Sequence, residues 1–126
     1  MFERFFRSSR KPAPKEYHIK ELVGVLDGDT FYCTLEEVDP VLEKHFVIRV
    51  YGVECPEFRI MSDVAIRARY FTQTFLCNPN EVKLIYMGAD RYGRNLFKVI
   101  TFDDKHDLAQ LLIENNLGKE YYGVKK

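Results

Sequence analysis

The sequence predicts an α+β fold: an all-β core of five strands, with one helix between the third and fourth strands and one after the fifth. Three observations carry this. Short apolar runs with alternation recur at Tyr17–Asp27, Thr30–Glu37, His45–Tyr51, Glu81–Tyr86 and Asn95–Phe102. Turn chemistry bounds them, at Asp27-Gly28-Asp29 and Val38-Asp39-Pro40 between strands and at Asp103-Asp104 after the last. Two stretches switch to helical spacing, with Val64, Ala68, Phe71 and Phe75 in the first and Leu108, Leu111 and Leu112 in the second.

Taken in order, residues 1–16 form a basic extension and 17–126 one domain. Residues 1–20 hold six Lys/Arg (Arg4, Arg7, Arg10, Lys11, Lys15, Lys20) against Glu3 and Glu16. Phe2, Phe5 and Phe6 precede a Pro-containing linker; this tip is expected first to be disordered or to dock on its own domain, with a membrane surface or a partner as the other readings. The connection between the second and third strands is strongly charged, as an exposed hairpin tip would be. Gly52 and Pro56 break the third strand and leave Glu54 and Glu57 on the loop at its end. Ser62 or Asp63 caps the first helix, which runs to about Cys77 and is stopped by Asn78-Pro79-Asn80. Asp107 caps the second helix with Gln110 placed for a capping box, and Asn116 takes its C-terminal position.

Composition narrows the class. A chain of 126 residues with 46% hydrophobic and 30% charged residues is one ordinary domain with its own core. No apolar run approaches the roughly 18 residues of a membrane span. No apolar leader segment is evident, so a cytoplasmic setting is expected. Cys33, Cys55 and Cys77 are three, widely spaced, and match neither a zinc site nor a disulfide framework; Cys33 and Cys77 read as core-facing. His18, His45 and His106 read as surface or structural. Formal charge is zero, which excludes coating of nucleic acid by bulk attraction but leaves room for a local phosphate pocket.

The chemistry concentrates in Arg49–Glu57, R-V-Y-G-V-E-C-P-E, where one arginine and two glutamates lie within nine residues. Alone they fit a solvated strand end equally well. Asp27 and Asp29 alone fit a turn, and Asp90-Arg91-Tyr92-Gly93-Arg94 alone fits a charged loop. Together the residue types suit a phosphodiester: planar guanidinium forks for the equatorial oxygens, carboxylates for a hard cation, and a carboxylate to take a proton from water.

The order of elements is that of an OB-type barrel, a fold that commonly binds oligonucleotides. D-G-D-T, I-R-V-Y-G-V-E-C-P-E, D-R-Y-G-R-N-L and L-A-Q-L-L-I-E-N-N-L-G-K-E-Y, from about Lys20 to Tyr122, resemble the staphylococcal nuclease (thermonuclease) family. The resemblance implies a calcium-dependent endonuclease, with another divalent cation as substitute, cleaving single-stranded or melted DNA and RNA. It implies Asp29 and Glu54 as metal carboxylates, with the Cys55 backbone carbonyl as a third donor. It implies Glu57 as general base and Arg49 and Arg94 as catalytic arginines. Arg91, Tyr92 and Tyr122 are implied as substrate contacts.

Glu54 stands where the family has an aspartate, which moves the carboxylate by about 1.5 Å at most. The loop after Glu57 is short and differs from the prototype's. A further helix of the prototype follows the region equivalent to Tyr122, so the surface it covers is expected to take the Phe2/Phe5/Phe6 segment, a second subunit in a homodimer, or nothing. A catalytically weakened nucleic-acid or protein-binding module of the same fold is the alternative function. A polynucleotide-binding subunit of a mobile element or phage is a third.

Overall fold

The computed structural model describes residues 15–39 and 45–122. The Phe2/Phe5/Phe6 segment, the tip of the second connection and the last four residues lie outside the described residues. Five strands close a barrel: β1 (Glu16–Asp27), β2 (Thr30–Leu35), β3 (Phe46–Val50), β5 (Val82–Ala89) and β6 (Asn95–Thr101), in the order β1-β2-β3-β6-β5. Two further short strands, β4 (Gly52–Glu54) and β7 (Lys119–Tyr121), pair with each other outside the barrel. Helix α1 (Asp63–Phe75) follows β4, and α2 (Leu108–Glu114) follows β6. The expected placement of the two helices relative to the five barrel strands holds, and the architecture is an OB-type α+β barrel.

Alternation builds the interior. Phe31, Cys33 and Leu35 of β2 are buried, while Thr30, Tyr32 and Thr34 between them are partly exposed. Ile48, Val50, Leu84, Val99 and Val82 meet them from β3, β5 and β6. Long β1 shifts register at three places along β2, and its start also pairs with β5 through Glu16, Tyr17 and His18. Such irregularities bend a strand enough to serve two neighbours and close a small barrel. Closure is completed by a parallel pairing of β3 with β6, Arg49 opposite Leu96 and Val50 opposite Phe97.

Helix α1 starts as expected, with Ser62 Oγ accepting from Ala65 N at 3.1 Å. Its fully buried face is Ala65, Ala68 and Thr72, with Val64, Phe71 and Phe75 half-buried beside it. Small residues face the barrel because the helix lies directly on the Asp27–Asp29 turn. Thr72 Oγ1 donates to Gly28 O at 2.5 Å, and a Cβ on Gly28 would fall 2.8 Å from Ala68 Cβ and 2.9 Å from Cys55 Sγ. Glycine at 28 is therefore required by close approach.

Several expectations change. Gly52, at φ +100°, redirects the chain instead of ending its extended run, so Glu54 closes strand β4 and is not a loop residue. The pairing that fixes it, Glu54 opposite Lys119, comes from 65 residues downstream and leaves no periodic signal in three residues. Cys77 is exposed one residue beyond the α1 C-cap, whereas Cys33 is buried as expected. Ala109 takes the buried place expected for Leu111, which is half-buried. Asp107 caps α2 through Ala109 N at 2.9 Å, but Gln110 turns to Glu114 and closes no capping box. Asn116 ends that helix at φ +60°, in the left-handed conformation expected of it.

Candidate active site

Strand β3 lies between β2 and β6, and this brings the sequence motifs together. Arg49 opposes Thr30 on one side and Leu96 on the other. Asp29 precedes Thr30 by one residue, and Arg94 precedes Leu96 by two. Both therefore arrive beside Arg49. A groove of about 760 Å3 opens there, and Asp27, Thr30, Arg49, Gly93 and Arg94 are among its lining residues.

Arg49 points out of the barrel yet is 5% exposed. Its Nη1 forms an ion pair with Asp29 Oδ2, and the guanidinium carbon lies 5.9 Å from the centroid of the Tyr121 ring. Nε and Nη1 have no aligned hydrogen-bond acceptor among the described residues, so the guanidinium keeps donor capacity. Asp29, 4% exposed, is held from the other side. Cys55 N donates to its Oδ2 at 2.8 Å and Thr30 Oγ1 to its Oδ1 at 3.0 Å.

Asp27 flanks this pair. Phe58 N donates to its Oδ1 at 2.6 Å, which ties the loop after Glu57 to the turn. Burial first, then the neighbouring charges of Asp29 and Glu57, push the Asp27 carboxyl above its ordinary value against that hydrogen bond. The Cys55 thiol is likewise pushed up, by burial and then by Asp29, so it stays protonated.

Arg94 is presented differently. Asp90, buried, accepts from Tyr92 N at 2.8 Å, Arg94 N at 2.8 Å and Arg94 Nε at 2.6 Å. Burial raises the Asp90 carboxyl, but the Arg94 and Tyr92 donors outweigh it and hold it below its ordinary value, as an anion. Tyr92 is exposed, with the guanidiniums of Arg91 and Arg94 at 5.2 and 5.4 Å from its ring centroid.

The remaining expected residues stand off the groove. Glu54 lines a separate hollow of about 390 Å3 with Cys55, Pro56, Asn116 and Lys119. Glu57 is exposed and pairs with Arg59 at 2.8 Å. Tyr122 leans on Tyr51, centroids 5.2 Å apart, and donates to Glu120 at 2.6 Å, which raises its pKa. Among the described residues, no three of Asp27, Asp29, Glu54 and Glu57 bring one oxygen each within 4.8 Å of one another. An apolar hollow of about 620 Å3 runs along α1 past Ile66, Tyr70 and Phe75, with no carboxylate, and so lacks the chemistry of the charged groove.

The sequence motifs include Asp27 and Asp90 but give neither a role of its own, and they give none to Tyr121. The signal for Asp27 was its place two residues before Asp29. Asp90 opens the D-R-Y-G-R run whose loop it organises. Tyr121 is the ring against Arg49, a placement that alternation along a three-residue strand does not reveal. The chain matches no protein-family model and no curated protein.

Proposed function

We propose that the protein is a divalent-cation-dependent phosphodiesterase that cleaves single-stranded DNA or RNA. The observation that carries this is the convergence of Arg49 and Arg94 on one groove beside the buried Asp29 and the charge-crowded Asp27. Attack on a phosphodiester builds negative charge on the equatorial oxygens. Two guanidinium forks meet that charge bidentately, which lysines do not. Arg49 is oriented before substrate arrives, because Asp29 and the Tyr121 ring fix it. Preorganised donors of this kind carry a large share of catalysis in sites shielded from water.

Asp29, Glu54 and the Cys55 carbonyl are the hard oxygen donors that this reading assigns to a divalent cation. Calcium is the first candidate; a bound divalent cation would supply Lewis-acid stabilisation of the phosphate. Glu57 takes the proton of the attacking water once released from Arg59, and Arg91, Tyr92 and Tyr122 contact the substrate. The placement of Glu54 and Glu57 off the groove favours a second reading, a binding module of the same fold with weakened catalysis.

Heat-denatured DNA and unstructured RNA are to be incubated with the protein in calcium, magnesium or chelator, beside an Arg49→Ala/Arg94→Ala variant. Cation-dependent cleavage that the variant lacks is the expected result. Binding of single strands without cleavage under any ion would replace the enzyme reading with the binding module.

A further inference from the structure

The outward face of the sheet beside Arg49 is built in rows. Pairing of Asp27 with Thr30 and of Thr30 with Arg49 makes one charged row across β1, β2 and β3. Pairing of Gly24 with Tyr32 and of Tyr32 with Val47 makes the next row. Two residues along a strand advance about 7 Å, so the second row lies about that far from the first. Tyr32, His45, Phe46, Val47 and Leu26 continue the same groove that holds Arg49 and Arg94. Leu26 is 45% and Val47 54% exposed, an apolar border beside a partly exposed ring. Gly24 leaves the β1 side of Tyr32 without a side chain, and a Cβ there would meet nothing within 4 Å.

We propose that this second row is a nucleobase site: an unpaired base of a single-stranded nucleic acid stacks on Tyr32, between Val47 and the open flank at Gly24, while its phosphate lies at Arg49 and Arg94. This rests on the phosphodiester reading of the same groove. Alternation of guanidinium and aromatic ring at this spacing is the pattern by which proteins hold single strands without reading sequence. A duplex base is already stacked on its neighbours and does not reach such a ring. A chain of zero formal charge has little bulk attraction for polynucleotide, so stacking must supply affinity that basic proteins draw from phosphate contacts. Tyr92 and Tyr122 do not line this groove, so Tyr32 adds a base position to those the motifs imply.

The test is fluorescence anisotropy in chelator with labelled dT12, U12 and an abasic 12-mer of equal charge, beside cleavage of bis(4-nitrophenyl) phosphate, which has no base, in calcium. Wild type should prefer the base-bearing strands over the abasic strand by at least about tenfold, the loss of one stacked base. Tyr32→Leu should lower that preference by about tenfold and Tyr32→Phe retain it, with thermal melts confirming that each is folded. Photocrosslinking of a 5-bromouracil 12-mer to wild type should mark Tyr32 or His45, and needs no variant. The relative affinities of dT12 and U12 distinguish a DNA from an RNA strand. Equal binding of base-bearing and abasic strands, or crosslinks confined to other residues, would overturn the base site even if the base-free ester is cleaved. Base-dependent binding through Tyr32 without cleavage of that ester would leave the base site standing and sink the enzyme reading.

Discussion

Arg49 lies in mid-strand, nearly buried, with its guanidinium against Asp29; Arg94 lies in a loop, its side chain 47% exposed and its Nε on Asp90. Both reach one groove. The barrel itself delivers Arg49: the pairing of β3 with β2 and β6 fixes where it stands, and its ion pair gives the buried Asp29 carboxylate a positive partner beside its two neutral donors. A loop that folds on itself delivers Arg94, with Asp90 gathering the Tyr92 and Arg94 donors. Fold and chemistry are coupled in the first region and separable in the second. That difference tells which substitutions can test catalysis without disturbing the fold.

The largest effect on stability should come from Arg49→Ala. Removing one partner of a buried pair costs about 3–5 kcal/mol, which lowers the melting temperature on the order of 10 °C. A melt unchanged from wild type would show that Arg49 is not coupled to the fold. Asp90→Ala comes next, at about 1–3 kcal/mol, because Arg94 and Tyr92 lose their common acceptor. Urea denaturation measures it, and no loss would mean that the loop holds its shape without the aspartate.

Arg94→Ala should cost less than Asp90→Ala, about 1 kcal/mol, because the Arg94 side chain is half exposed and the buried Asp90 keeps its two backbone donors, Tyr92 N and Arg94 N. Asp27→Asn should have the smallest effect and the opposite sign. A carboxyl raised above its unfolded value gives its full stability below the unfolded pKa and loses it as pH rises through the folded pKa. The asparagine variant escapes that loss, so it should melt slightly higher than wild type at neutral pH. Melts across pH 3–8 check this: the two curves should separate as pH rises, and a constant gap would break the assignment of the shift to Asp27.

Much of the barrel was legible because its strands alternate and its helices carry caps: Phe31, Cys33 and Leu35 face in, and Ser62 and Asp107 cap as their chemistry dictates. The long-range parts were not. Three residues of β4 and three of β7 carry no periodicity, so neither Glu54 in a strand nor Tyr121 against Arg49 could be read. The motifs marked Arg49, Asp29 and Arg94, whose convergence follows from strand order alone. They did not mark Asp27 as a crowded carboxyl, because its shift depends on burial and on charges from Asp29 and Glu57. Cys77 misled because its apolar neighbours belong to the last turn of α1 while it lies just past the helix end.

The most direct test of the central claim is the rate of single-strand cleavage by Arg94→Ala and Arg94→Lys in calcium, with a melt of each alongside. Alanine should lower the rate by about 10²–10⁴ while the melting temperature stays near wild type, and lysine should recover only part of the loss. Cleavage by Arg94→Ala at the wild-type rate, or no cleavage by wild type under any divalent ion, would contradict the groove as a phosphodiester site.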